Sequence, residues 1–298
     1  MSTGVLVVTP IDIADPGALT STNVDGSADP AAYDVGVTYG LGDQATSGSM
    51  VYQSAQAGNT GHAVSEVSWW VEVGAINKLR MFDRRVGAQT ENPDTIEVEI
   101  TPGVVVGALS LRNLDALTVT VTQSAVADGT LLSRIVDLDY PVADWFDYFF
   151  SEITRQTDVV VAGLLPYTDS KVAVLIDNTG GTAKCGELIM GPAMEPGDAE
   201  FGLSDGIDDY SVIAPDPFGV RDIVERDYAD NMELTIWVES ARSPAFRRLL
   251  AERRARPILL VSTDARPDAQ VYGLAESWRR VLSYPGWDVF NLTMKGLT

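Results

Sequence analysis

Apolar and polar positions alternate with period two through the middle of the chain. The runs are TIEVEI (95–100), VVVGALSL (104–111), LTVTVT (117–122), RIVDLD (134–139), TDVVVAGL (157–164) and KVAVLI (171–176). Such alternation, rich in β-branched residues and broken by turn signals, predicts half-buried antiparallel strands packed as a sandwich, here jelly-roll-like, over residues 75–192. No stretch within that span has the apolar spacing of a good amphipathic helix. Its one interruption, WFDYFF (145–150), is expected to be core or a subunit-interface anchor.

The flanks read differently. Residues 1–32 begin with a short apolar run, Val5 to Val8, and continue as ADPGALTSTNVDGSADPAA, which predicts an arm or linker whose removal leaves the folded domains' melting nearly unchanged. Residues 33–74 hold aromatics punctuated by glycines, the pattern of a mini-module of short strands that leans on its neighbour. Residues 191–219 are dense in Gly, Pro and Asp and predict a long excursion between domains. Beyond them, strands RDIVERDY and MELTIWVE precede a helix, SPAFRRLLAERRA, with Ser243 as N-cap, Pro244 at N1 and Pro257 as its stop. Strands PILLVST, AQVYGLAE and WDVFNLTMKGL follow, making residues 193–298 an α+β domain. The expected fold class is thus mainly β: a small module, a sandwich, and a C-terminal α+β domain.

Charge narrows the partners. With 21 basic and 42 acidic residues the net charge is -21, so a phosphate backbone would be repelled and nucleic acid is not expected as a ligand. The excess is uneven: residues 220–298 carry 12 basic and 11 acidic residues, against 9 and 31 before them. The arginine face of the helix is expected to pair with acidic surface of a neighbouring domain or subunit. No apolar run reaches the ~20 residues of a membrane helix and the N-terminus has no signal-peptide pattern, so the expectation is cytoplasmic synthesis without membrane insertion.

Catalytic chemistry finds little to stand on. His62 is the single histidine, Cys185 the single cysteine, and neither a G-x-S-x-G elbow nor a phosphate-binding glycine loop is present. Pairs of carboxylates are too abundant to point to a glycosidase. Asp205, Asp208 and Asp209 could wrap calcium but lack the full binding loop, and a solvated turn is preferred. The expectation is therefore no enzyme, no cofactor and no metal site. What remains is Tyr33, Tyr39, Tyr52, Trp69 and Trp70, with Asn59 and His62 between them. Flat aromatics beside short polar side chains suit the apolar face and hydroxyl rim of a sugar; the alternative is that they form the module's own core.

Two resemblances bear on these residues. YDVGVTYGLGD, VYQSAQAGNTGH and the final WW resemble the small carbohydrate-binding modules of bacterial chitinases, departing at Ala45 and Val64, where valine and proline are common. That resemblance implies sugar stacking by surface aromatics, with Tyr39, Tyr52, Trp69 and Trp70 as the matching positions. VGAINKLRMFD (73–83), GAQT (87–90), WFDYFF, LLPY (164–167), DDYS (208–211), FGVRDIVERDYA (218–229) and the terminal GLT resemble proteins of tailed-phage structural gene clusters. It implies a virion component of the tail or tail tip, a fibre-attachment or adaptor protein forming a symmetric homo-oligomer with other tail proteins, made in the host cytoplasm. Host-surface glycan is the further partner, and glycan-based receptor recognition the alternative function.

Overall fold

The computed structural model describes residues 4–13, 18–140, 145–150, 154–215, 221–263 and 266–297. The chain is mainly β, as its alternation predicts, and its strands pair antiparallel. Thr118–Ala125 alternates strictly between half-buried and buried positions, with Val119 and Val121 inside.

The sandwich is organised by one 22-residue strand, Ser170–Gly191. Its first half lies between Thr90–Ile100 and Thr118–Ala125, and its second half pairs with Ala108–Asp115. Register shifts between Asp177 and Thr182, where Gly180 takes φ +89°, so the strand bends and its two halves take different neighbours within one seven-stranded sheet. Ile96, Val98, Leu111, Val121, Val174 and Leu188 pack together as its core. Cys185 is buried there, and burial raises its thiol far above the ordinary range, leaving it an inert hydrophobe.

The small aromatic module is nested in this sandwich rather than placed before it. Leu19–Thr22, within the expected arm, pairs with Thr90–Ile100, and the intervening segment leaves and returns between these adjacent strands. A polar staple fixes the return: the Thr90 hydroxyl donates to the Asn77 carbonyl at 2.7 Å, and the Asn77 side chain bonds both backbone groups of Glu91. Met81 is fully buried in the sandwich, so the INKLRMFD stretch is an anchor for the module's base.

The second sheet has eight strands, running Ala193–Met194, Leu6–Val8, Ile258–Thr263, Arg266–Tyr284, Trp287–Gly296, Tyr228–Glu239 and Gly197–Ala199, with Ser204–Asp209 also on Tyr228–Glu239. Two expectations are corrected here. The start of the expected arm is an inner strand, with Val5, Val7 and Val8 wholly buried, because pairing on both sides and an apolar face outweigh its brevity. The expected excursion after Gly191 contributes Ala193–Met194, Gly197–Ala199 and Ser204–Asp209 to the sheet; residues 14–17 and 216–220 lie outside the described residues. The aspartates at 205, 208 and 209 thus sit on a strand, not in a turn, with Asp208 accepting from Asn231 and paired with Lys295.

The helix Ser243–Glu252 packs Phe246 and Leu250 on this sheet, the Phe246 ring edge-on to Phe290 at 4.9 Å. Its N-cap is Arg242 without a side-chain cap bond, while Ser243 is helical and buried. Two further short helices, Asn77–Arg80 and Trp145–Phe150, appear where none was expected. WFDYFF is not core: Trp145, Phe146, Phe149 and Phe150 are 79%, 67%, 66% and 75% exposed.

The two sheets join closely. The long strand runs on into Ala193–Met194, and a Cβ on Gly191 would stand 2.0 Å from the Thr9 carbonyl oxygen, so only glycine fits. Across the join, the buried Arg112 reaches Asp158 of the sandwich at 3.5 Å and Asp230 of the second sheet at 2.7 Å.

Candidate functional site

The nested module is a three-stranded sheet, Gln44–Ser47, Met50–Ser54 and Trp70–Ala75. Its hairpin turns through a two-residue loop in which Gly48 takes φ +63°. So small a unit has one apolar cluster, Tyr39, Ala45 and Trp70, with Tyr33, Tyr52, Val64 and Trp69 partly buried around it.

Sugar-site expectations therefore divide. Trp70 and Tyr39, 2% and 8% exposed, are core. The Tyr39 ring meets Trp70 edge-on at 4.9 Å, and Tyr33 meets it edge-on at 5.7 Å. Both Trp70 Nε1–H and the Tyr33 hydroxyl donate to the His62 carbonyl at 2.9 Å, so the buried polar tips are satisfied by one backbone oxygen. Asn59 is buried too: it exchanges backbone bonds with Tyr39, and its amide donates to Ser54 Oγ at 3.0 Å and the Trp69 carbonyl at 3.3 Å. The Asn-Thr-Gly turn is therefore a structural clamp.

Trp69 and Tyr52 keep partial access to solvent. The Trp69 indole lies parallel to the His62 imidazole, with centroids 3.9 Å apart and planes 10° apart. His62 Nδ1 in turn meets Glu66 Oε2 at 3.0 Å, while Glu66 Oε1 accepts the Ala63 amide at 3.0 Å. These bonds, His62's first and the Ala63 amide's second, hold the Glu66 carboxyl below its ordinary range. A fixed carboxylate thus orients an imidazole, and the imidazole orients the indole. Glu66 was not foreseen, although its place four residues after His62 was a visible signal.

This arrangement offers an aromatic face, a carboxylate and an imidazole; it contains no nucleophile set against a base. Among the described residues no group of three or more His, Cys, Asp or Glu could hold a metal ion, and no helix is long and apolar enough to cross a membrane.

No protein-family model matches the chain, and no curated protein matches it. Among solved structures, the lectin domain of lectinolysin complexed with Lewis B antigen is similar at 14% identity, covering 39% of this chain and 83% of that one, with a TM-score of 0.27. The fucose-binding module SpX-3 of Streptococcus pneumoniae gives 12% identity, 39% and 85% coverage, and a TM-score of 0.27. A chitosan-binding module from a Paenibacillus sp. IK-5 chitosanase/glucanase gives 12% identity, 38% and 81% coverage, and a TM-score of 0.26. Likeness at this level assigns no family. The phage-tail resemblance gains no support from these comparisons.

Proposed function

We propose that the chain is a non-enzymatic glycan-binding protein that recognises a host-surface polysaccharide through the nested module. The carrying observation is the pre-oriented Trp69, stacked on His62, braced through Glu66 and still partly open, with Tyr52 a further partly open aromatic of the module. A ring locked before binding loses little entropy when a sugar stacks on it. Retention on immobilised host polysaccharide tests this. Trp69→Ala is expected to lose retention while the fold stays intact, whereas wild-type protein that shows no retention, or a variant retained equally, rejects the reading. Hydrolysis of the same glycan, lost on mutating acidic residues, would instead mark an enzyme.

A second reading, an oligomeric component of a phage tail or tail tip, is favoured by the exposed Trp145–Phe150 helix and by the motif resemblance. Apolar side chains this exposed and contiguous suit burial against another subunit or tail protein. Sedimentation of Phe146→Ser/Phe150→Ser tests it: the wild type should form a closed oligomer that the double variant does not. A wild type that stays monomeric and is absent from purified virions excludes it.

A further inference from the structure

A cleft of about 420 Å³ lies away from the aromatic module and is lined by Pro10, Asp12, Arg84, Arg253, Arg256 and Pro257. Three arginines and one aspartate line it, in a protein whose net charge is -21. Arg253 and Arg256 follow the C-terminus of the helix Ser243–Glu252, where the helix dipole favours cations. That accounts for two of the arginines and not for Arg84, which arrives from the sandwich. Its partner Asp12 stands 3.4 Å away, and both side chains are more than half exposed. Among the described residues no carboxylate pairs with Arg253 or Arg256.

The backbone at this cleft is unusual as well. Arg84 takes φ +67° and Ala255 takes φ +58°, two of four described non-glycine residues in the left-handed region. Such conformations persist where surroundings enforce them, and they gather at binding sites. Arg84 is held in place by its amide, which donates to the buried Glu187 carboxyl at 2.9 Å. The consequence is one cleft lined by an arginine from the sandwich side and two from the end of the helix.

We infer that this cleft binds a tetrahedral oxyanion, a phosphate or sulfate ester carried on a small organic group. Planar guanidinium forks match the oxygens of such groups in bidentate geometry, and three of them exceed what one carboxylate neutralises. The volume falls within the range of small-ligand sites and leaves room beyond the oxyanion itself. Asp12 is then an internal competitor, resting on Arg84 when the site is empty. The site stands independently of the glycan reading, because it shares no residue with the Trp69 platform.

Calorimetric titration of the full chain with inorganic phosphate, inorganic sulfate and a hexose 6-phosphate, at constant ionic strength set with chloride, tests the inference. Saturable one-to-one binding is expected for at least one probe. Arg253→Gln/Arg256→Gln should weaken it tenfold or more, Asp12→Asn should tighten it several-fold, and Trp69→Ala should leave it unchanged. These positions are at the surface, and thermal melting checks that each variant is folded. Absence of saturation in the wild type, or equal affinity across the arginine and Asp12 variants, overturns the proposal. So does self-association that the arginine variants abolish and phosphate does not compete with, since the cleft would then belong to acidic surface of a second copy.

Discussion

Glu187 offers the sharpest test of how this protein is held together. It lies in the second half of the long strand, 3% exposed, with one carboxyl oxygen accepting the Arg84 amide at 2.9 Å. Burial pushes its carboxyl up to about 9; the Arg84 amide opposes the shift and neighbouring Asp83 adds to it. At neutral pH the group is therefore protonated in the folded chain and ionised in the unfolded one, where a glutamate titrates near about 4.3. Because the folded state binds the extra proton, stability is highest below about 4.3 and falls as pH rises towards the folded value, by about 1.4 kcal/mol per pH unit. From about pH 5.5 to about pH 8.5 this single group removes on the order of 4 kcal/mol. Glu187→Gln keeps an acceptor for the Arg84 amide, puts an N–H where the carboxyl proton was, and has no proton to lose. Urea unfolding followed by tryptophan fluorescence should find the variant close to the wild type at the acid end and more stable by about 4 kcal/mol at the alkaline end. Parallel stability curves, or a variant less stable throughout, would refute a neutral Glu187 and mean that the Arg84 guanidinium holds it ionised.

Three further outcomes follow from packing. Trp70→Ala empties the centre of the nested module at a cost of about 3–5 kcal/mol, enough to melt it locally, and hydrogen exchange should then lose protection at Met50–Ser54 while the sandwich keeps its own. Arg112→Ala removes the cation bridging Asp158 and Asp230 across the join, and because both carboxylates stay partly solvated calorimetric unfolding should show about 1–3 kcal/mol of destabilisation. Deleting residues 1–8 removes an inner strand and should abolish the cooperative transition of the eight-stranded sheet; an unchanged melt would show that Leu6–Val8 is dispensable.

Strand alternation was legible wherever one face is buried, as in Thr118–Ala125. The continuation of the long strand was not, because Asn178, Thr179, Gly180 and Gly181 form a turn signal in sequence and a bend in the fold. Val5 to Val8 was visible as an apolar run, but four residues cannot announce partners some 250 positions later. WFDYFF reads as core or as a subunit-interface anchor, and its exposure removes only the first, because composition reports apolarity and not which side of the molecule a segment faces. At the site, Trp69 and Trp70 are indistinguishable by type. Register separates them: Trp70 stands opposite Ser54 with its ring turned to Tyr39, and its neighbour is left to pair with His62.

The place of Leu6–Val8 between Ile258–Thr263 and Ala193–Met194 also orders events in time. Leu6 pairs with Val261, so this strand is made some 250 residues before its partner. At about 5–20 residues per second it waits roughly 13–50 s with that edge unsatisfied. The sandwich and its nested module are complete in sequence by Gly191 and can form while synthesis continues. The eight-stranded sheet closes only after Ile258–Thr263 and the strands that follow it have been made, so the sandwich and its module mature first and this sheet later.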